Sequence, residues 1–415
     1  MGTWSRREFM RTTGATAGVL GLSGLDAGAL MPRQDPLAEF EEYMKRVAPS
    51  PQHIEYFLSR QVVEDEIKNN KGWTYDAELG WVVKNASKSD GVHGSRTYFH
   101  YDPDGSRRTA DFFPGQAARI QSFGDSFTHC DQVNDGETWQ RYLGSHLCEP
   151  ILNYGVGGYS VYQAFLRYQK VQKTHPAEFI ILNIWSDDHF RNLDSLRSMR
   201  FGSEIPDCFT LPHLRVDRAR QECRPQPNPC PTPDDVRKLA DMGFLKRTFY
   251  EDPGYRLFAR TRRDDLAWNL PAVSVGLVQA RLDVDEETRD LISGFTRDAL
   301  FATMKVVDWM EKDITENGRK LLVILSHDEN TIERHLRGEP CWDQDFLDYL
   351  KGKSFPVVDL RETHQEDFAE SKLEVEPYVR KYYIGHYAPA GNFFCAQAIR
   401  QAVVDWLDPK PAPYR

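Results

Sequence analysis

Long apolar runs and cysteine are both scarce in this chain. Beyond the amino terminus, no stretch approaches the roughly 18 apolar residues of a membrane span, so we expect none in the mature protein. Seven cysteines among 415 residues are too few for a disulfide scaffold. No internal repeat or low-complexity tract is visible, which argues against a repeat architecture.

Basic residues are also in short supply. The chain holds 52 Lys and Arg against 62 Asp and Glu, which gives a net charge of −10 and a sequence pI near 5.7. This acidic balance argues against nucleic acid as a partner. What is present is typical of a globular enzyme, because 40% hydrophobic and 12% aromatic residues supply enough apolar surface for one large core.

The amino terminus carries the pattern of an export signal. Arg6, Arg7 and Phe9 precede a weakly apolar stretch rich in Gly, Ala and Thr, which ends in an A-x-A site at Ala29. We interpret residues 1–29 as a twin-arginine signal peptide, which predicts a periplasmic or secreted protein. The alternative is an arginine pair ahead of a short soluble helix. No cysteine lies near the cleavage site, so we expect no lipid anchor.

Two further segments stand apart from the central pattern. Residues 30–115 form an amino-terminal extension, helical at first and then rich in Tyr, Gly and Asp, which favours short β-strands. Residues from about 193 to 291 have no clean period, so we interpret them as an insertion after the third strand. The insertion is either a lid or substrate wall, or a packing subdomain. Within it, a disulfide between Cys223 and Cys230 could close a proline-rich loop.

From Ala118 onward, apolar runs alternate with helical stretches. These apolar runs have the length of strands and do not alternate sharply between polar and apolar residues. This pattern indicates strands that are buried on both faces, as in a parallel sheet covered by helices. We therefore predict an α/β protein with a three-layer α/β/α sandwich. Five strands are predicted, at residues 120–123, 150–154, 179–185, 321–325 and 356–360. Five helices are predicted, at residues 138–147, 162–173, 297–315, 343–351 and 391–406.

Four short motifs follow these strands or open the last helix. The first, Gly124-Asp125-Ser126-Phe127-Thr128, places a serine hydroxyl between a strand and a helix. An α/β protein positions a nucleophile at such a point, although the same serine could simply cap the helix. The other motifs run from Asn153 to Tyr159, from Ile184 to Asn192 and from His386 to Asn392.

Together the motifs resemble the SGNH (GDSL-type) hydrolase family over residues 118–407. The resemblance implies a five-stranded, flavodoxin-like parallel sheet within residues 116–410. It also implies that Ser126 is the nucleophile and His386 the base, and that the N–H groups of Ser126 and Gly155 stabilise the oxyanion. The alternative for His386 is a surface histidine beside the last helix.

Two positions depart from the family pattern. The family's third motif supplies an asparagine whose amide binds the oxyanion, and Asp187 stands in its place. An ionised carboxylate only accepts hydrogen bonds, so Asp187 is protonated, or has another role, or is misaligned by one residue. The family's acid precedes the histidine by three residues, where this chain has Tyr383. Asp359 after the fifth strand, Asp187 itself and a backbone carbonyl are the candidates for orienting His386.

A metal site is a further alternative near these motifs. Carboxylates and imidazoles of suitable type for a divalent ion occur there, at Asp125, His129, Asp187, Asp188, His189 and His386. Acidic pairs beside an arginine are more often ion-paired structure, and His129 is most simply a polar residue of the first helical turn. We therefore expect no metal and no other cofactor.

The resemblance implies an exported esterase that cleaves an O-acyl ester through an acyl intermediate on Ser126. An O-acetyl group on a small molecule or carbohydrate is a candidate substrate. One alternative is an O-acyltransferase acting on a polysaccharide, which dry aromatic walls would favour by excluding water. Candidates for such walls are Trp185, Phe190, Phe201 and Phe209. The other alternative is a binding module that kept the fold and lost the chemistry. The sequence leaves the oligomeric state open.

Overall fold

The computed structural model describes residues 35–58, 72–109, 112–202, 210–261, 270–276 and 285–415. The predicted signal peptide (residues 1–29) and Phe209 lie outside these ranges. Within them, no helix is both long enough and apolar enough to cross a membrane.

Strands and helices of the described ranges are numbered here in chain order. The strands are β1 (Trp73–Asp76), β2 (Gly80–Val83), β3 (Ala86–Lys88), β4 (Thr97–Phe99), β5 (Ile120–Phe123), β6 (Ile151–Asn153), β7 (Phe179–Trp185), β8 (His213–Asp217), β9 (Glu222–Gln226), β10 (Lys320–Ser326) and β11 (Val357–Asp359). The helices are α1 (Pro36–Val47), α2 (Pro51–Leu58), α3 (Ser126–His129), α4 (Trp139–Leu147), α5 (Val161–Gln172), α6 (Asp188–Arg191), α7 (Ser198–Phe201), α8 (Pro233–Arg237), α9 (Met242–Phe249), α10 (Pro253–Thr261), α11 (Glu286–Glu316), α12 (Glu329–Leu336), α13 (Gln344–Lys351), α14 (Leu360–Ser371), α15 (Val375–Tyr382) and α16 (Pro389–Trp406).

The central sheet is parallel and has the order β11-β10-β7-β5-β6. Counted along the chain, its five strands lie in the spatial order 2-1-3-4-5, which is the flavodoxin-like order. The predicted fold class is therefore confirmed. In this topology the connections leave β5 and β7 in opposite directions, so a crevice opens between the carboxyl ends of these two strands.

Helices cover both faces of this sheet. All seven residues of β7 are buried, yet successive side chains alternate between two hydrophobic cores, with Phe179 and Ile181 in one and Ile180 and Leu182 in the other. Helices α4 and α16 pack together on the first core, while α5 and α11 pack on the second. The continuous apolar runs of the sequence therefore reflect two buried faces.

The amino-terminal extension rests on the carboxyl edge of the sheet. It forms two antiparallel hairpins, β1 with β2 and β3 with β4. Trp81 of β2 is buried and donates its indole N–H to the carbonyl of Gly157 at 3.1 Å. The hydroxyl of Tyr159 donates to the carbonyl of Trp81 at 2.5 Å. Both partners lie in the loop after β6, next to the crevice.

The insertion contains short helices and the antiparallel hairpin of β8 and β9. It contacts the extension directly, since the Tyr75 hydroxyl donates to the Cys230 carbonyl at 2.8 Å and the Asn228 amide donates to the Ala77 carbonyl at 3.1 Å. Cys223 and Cys230 are both free thiols, so the disulfide that their spacing allowed is not formed.

Candidate active site

Ser126 is the first residue of α3, directly above the end of β5. The preceding Asp125 caps this helix, because its carboxylate accepts the N–H of Phe127 at 2.8 Å. The cap role that the sequence left open for Ser126 therefore belongs to its neighbour. The turn also requires Gly124, which has a φ of 155°, since a Cβ there would lie 2.1 Å from Thr128 Oγ1.

His386 reaches Ser126 from the loop before α16. Its Nε2 lies 2.8 Å from Ser126 Oγ. Its backbone N–H and its Nδ1 both contact Oε1 of Gln132, at 2.8 Å and 2.9 Å. The Gln132 amide is fixed in this orientation because its N–H donates to the carbonyl of Asp90 at 2.9 Å. Nδ1 therefore carries the proton, which leaves Nε2 free to accept the proton of the Ser126 hydroxyl.

Gln132 lies in a tight loop that Arg107 of the extension holds in place. Cys130 and Gln132 both have positive φ angles, 63° and 70°, which are unusual for residues with side chains. The Arg107 guanidinium is 1% exposed and donates to the carbonyls of His129, Cys130 and Val133 at 2.6–2.7 Å. These bonds satisfy three carbonyls that the loop turns inward.

Asp131 places a negative charge beside the Ser126–His386 pair. Burial alone would raise the pKa of Asp131, but Lys88, His129 and His386 outweigh burial and hold that pKa below its ordinary value. Asp131 also lies beside Gly157, since a Cβ on Gly157 would lie 3.3 Å from Asp131 Oδ2.

His129 belongs to a separate hydrogen-bonded chain. Its Nδ1 lies 2.5 Å from Asp131 Oδ1, and its Nε2 lies 2.5 Å from the hydroxyl of Tyr101. Burial lowers the pKa of His129, in opposition to the carboxylate of Asp131. Both ring nitrogens are therefore occupied within the protein, away from the Ser126 hydroxyl.

Gly155, the predicted oxyanion donor, has its N–H engaged within the protein. The N–H of Gly155 donates to Asn153 Oδ1 at 2.9 Å, and a Cβ on Gly155 would lie 2.2 Å from the His129 backbone nitrogen. Gly155 is therefore required for close backbone packing. In the described part of the chain, the N–H groups of Ser126 and Gly157 have no hydrogen-bond acceptor, so both are available to a ligand.

Asp187 is an ion-paired acceptor. Arg200 donates to both of its oxygens, at 2.6 Å and 2.9 Å, and Arg191 Nε donates to Oδ2 at 2.9 Å. Burial would raise the pKa of Asp187, but these two guanidinium groups hold it below its ordinary value. Of the three alternatives left by the sequence, the structure fits a changed role and does not fit a protonated donor.

Asp359 orients a different histidine. Its Oδ1 lies 2.9 Å from His327 Nε2, and Arg361 donates to its Oδ2 at 2.7 Å. His327 Nδ1 lies 3.2 Å from the hydroxyl of Ser186, which completes a second serine–histidine–aspartate chain. Ser186 and His327 are both buried, so we assign this chain to the packing between β7, β10 and β11. Gln132 therefore takes the orienting position for which Asp359 was a candidate.

The remaining candidate ligands and aromatic residues are engaged in packing. Asp187 and Asp188 pair with Arg191, and His189 Nδ1 lies 2.9 Å from the Thr303 hydroxyl. The described residues contain no group of three side chains suited to a metal ion. Trp185 stacks on Phe127 beside Ser126, whereas Phe190 is fully buried against Phe295 and Trp342.

Comparison with known proteins yields structural neighbours only. No protein-family model matches the chain, and no curated protein matches it. Among solved structures, it is similar to a member of the lipolytic protein G-D-S-L family from Veillonella parvula DSM 2008, with 12% identity and a TM-score of 0.32. A protein assigned to the same family from Desulfitobacterium hafniense DCB-2 gives 10% identity and a TM-score of 0.32. Each match covers 69% of this chain and 98% of the other.

Proposed function

We propose that this protein is a serine esterase that cleaves an O-acyl ester of a small molecule or carbohydrate through an acyl-enzyme on Ser126. The observation that carries the proposal is the 2.8 Å contact between His386 Nε2 and Ser126 Oγ, made across 260 residues of chain. A nucleophile and a base within hydrogen-bond reach, with the base held by a third group, is the arrangement that acyl transfer needs.

The reaction runs in two halves. Ser126 Oγ attacks the acyl carbon while its proton moves to His386 Nε2, and the N–H groups of Ser126 and Gly157 bind the oxygen that becomes negative. The bond from the acyl carbon to the alcohol oxygen then breaks, and the alcohol leaves with the proton from Nε2. Water next gives a proton to Nε2 and attacks the acyl carbon. Ser126 Oγ leaves and recovers its proton as the carboxylic acid is released.

Two neighbours assist His386 in each half of the reaction. Gln132 Oε1 keeps the imidazole in the tautomer that can accept the Ser126 proton. The anionic Asp131 carboxylate stabilises the imidazolium through space, because opposite charges in a buried site interact more strongly than in water.

The experiment is to label the purified protein with a fluorophosphonate and to measure hydrolysis of p-nitrophenyl acetate. We expect one adduct, on Ser126, and a fall of roughly 10³-fold or more in kcat in both Ser126→Ala and His386→Ala. Ser145→Ala is the matched control, because Ser145 is exposed and its hydroxyl donates to the Arg141 carbonyl of its own helix. That variant should react like the wild type.

Other outcomes separate the alternative functions. A folded wild-type protein that takes no label would overturn the proposal and favour the binding module. A labelled protein whose acyl group passes to an added saccharide faster than to water would favour the acyltransferase. Export through a twin-arginine signal within residues 1–29 is part of the proposal and would place the esterase in the periplasm or outside the cell.

A further inference from the structure

Arg191 lies next to the Ser126 hydroxyl, on the far side of the crevice between β5 and β7. It ends α6, the short helix that follows β7, and is 8% exposed. Its Nη1 lies 3.4 Å from Asp125 Oδ2, and the same oxygen lies 3.2 Å from Ser126 Oγ. One carboxylate oxygen thus joins the guanidinium to the hydroxyl, so the two groups are within two hydrogen-bond lengths of each other.

The guanidinium is held rigidly. Its Nε donates to Asp187 at 2.9 Å, and its Nη1 donates to Asp188 at 2.8 Å and to the Tyr159 carbonyl at 3.1 Å. The central carbon of the guanidinium, Cζ, lies 4.8 Å from the centre of the Trp185 ring, which in turn stacks on Phe127. A donor fixed in this way needs no reorganisation when charge develops in front of it.

One nitrogen of this group remains available. Nη2 makes no hydrogen bond to the described residues, whereas every bond of the Arg191 side chain given above uses Nε or Nη1. Because guanidinium N–H groups are strong donors to negatively charged oxygen, a nitrogen without a protein acceptor beside a nucleophile is suited to bind the substrate.

Three carboxyl groups and a second guanidinium surround Arg191. Asp187 is neutralised mainly by Arg200, which donates to both of its oxygens. Burial raises the pKa of Asp125 and of Asp188, the charge of Asp125 raises the pKa of Asp188 further, and Arg191 opposes the shift of both groups.

We propose that Arg191 is a catalytic residue that donates from its guanidinium to the oxyanion of the tetrahedral intermediate, together with the N–H groups of Ser126 and Gly157. The proposal rests on the esterase function proposed above. It explains how the site tolerates a carboxylate at position 187, because Asp187 serves to orient Arg191 and not to bind the oxyanion itself.

Kinetics of Arg191 variants test this role. We expect Arg191→Gln to lower kcat for p-nitrophenyl acetate by roughly 100- to 1,000-fold, with KM changed by less than about threefold, because the lost donor acts in the transition state. Added guanidinium ion at millimolar concentration should restore part of the rate in Arg191→Ala. Arg361→Gln is the control, since Arg361 is also a buried guanidinium and is bound by Asp343 and Asp359. It should leave kcat per labelled site unchanged.

A structure of the wild-type phosphonate adduct provides a test that no folding defect can obscure. In this adduct the phosphorus is bonded to Ser126 Oγ. We expect its phosphoryl oxygen to lie within about 3.2 Å of an Arg191 nitrogen. An adduct whose oxygens all point away from Arg191, or an Arg191→Gln variant with kcat within tenfold of the wild type, overturns the role of Arg191. Both results leave Ser126 labelling intact, so they are distinct from failure of the esterase proposal.

Discussion

At the scale of single residues, the most informative side chain is Gln132. An amide oxygen can hold the His386 tautomer as a carboxylate does, but it carries no charge with which to stabilise the imidazolium. Asp131, the preceding residue, supplies that charge from beside the pair. The two functions of a triad acid, orientation and charge, are therefore divided between two neighbouring residues.

Removing the Gln132 amide should impair turnover without removing the nucleophile. We expect Gln132→Ala to lower kcat by about 10- to 100-fold, because His386 loses a hydrogen-bond acceptor worth about 1–3 kcal/mol where the group is buried. The measurement is p-nitrophenyl acetate hydrolysis, normalised to fluorophosphonate-labelled Ser126.

Gln397→Ala is the matched control for this variant. Gln397 also contacts a histidine, with 2.6 Å between its amide nitrogen and His146 Nε2, but the pair lies between α4 and α16. It should not change kcat. Equal activity in Gln132→Ala and the control would show that His386 is oriented by another group.

The contact between Ser126 and His386 joins two residues that the sequence singles out as candidates, whereas Gln132, Gly157 and Arg191 are not among those candidates. The first two adjoin a strand end and a helix start, and boundaries of this kind have local signals. The position of Gln132 depends on a positive φ and on Arg107, which is 25 residues earlier in a different part of the fold. Such long-range contacts leave no periodic pattern.

At the scale of elements, the loop between α3 and α4 depends on the amino-terminal extension. Arg107 satisfies three of its carbonyls, Asp90 accepts the Gln132 amide, and Tyr101 contacts His129. The extension is therefore part of the machinery that positions the base. Residues with positive φ persist only where the surrounding structure compensates their conformational cost.

Replacing Arg107 should damage both stability and turnover. We expect Arg107→Met to lower the free energy of unfolding by about 2–4 kcal/mol, because it removes the guanidinium that donates to three buried carbonyls and to Asp135. We also expect slower phosphonylation of Ser126 in the folded fraction, since Gln132 loses its fixed position. Urea unfolding and labelling rates measure the two effects.

Arg167→Met separates the site from the general docking of the extension. Arg167 is also buried and also links the extension to the sheet, through the carbonyls of Gly105 and Tyr154 at 2.8 Å and 2.9 Å. Neither of these two hydrogen bonds of Arg167 reaches the loop from His129 to Asp135. A comparable loss of labelling rate in both variants would contradict a specific role of Arg107.

The sheet could be predicted at this scale more completely than the segments around it. Each of the five predicted strands is present with its ends within two residues, because continuous apolar runs are a strong local signal. Helix α11 begins at Glu286, eleven positions before the predicted start, since its first turns carry charges that obscure the apolar stripe. The described helices of the insertion are harder to predict because each has nine residues or fewer, and helices this short depend on tertiary packing for their stability.

At the scale of the whole molecule, two buried histidines make the stability of the fold depend on pH in the acid range. His189 contacts Trp342 and Phe346, and His364 stacks on Phe394. Burial lowers the pKa of His189 to about 4 and that of His364 to about 3. Both side chains are therefore neutral in the folded protein at pH values where the unfolded chain, with a histidine pKa near 6.5, is already protonated.

Stability should consequently fall as the pH decreases from about 6.5 to 4. The unfolded state binds more protons in this window, so the free energy of unfolding rises with pH there and is largest, for these two groups, above 6.5. Between pH 7.5 and 4.5, we expect the free energy of unfolding of His189→Gln to fall by about 2 kcal/mol less than that of the wild type. Urea unfolding at the two pH values measures the difference. Exposed His53→Gln should follow the wild type, and parallel curves for all three proteins would refute the assignment to His189.

The separation of Ser126 and His386 along the chain has a consequence for synthesis. The hydroxyl leaves the ribosome 260 residues before the imidazole that activates it. Until position 386 has been translated and the parallel sheet has assembled, Ser126 is an ordinary alcohol with no base in reach. Under the proposed mechanism, a nascent chain is therefore unable to attack cellular esters, and reactivity begins only when folding is complete.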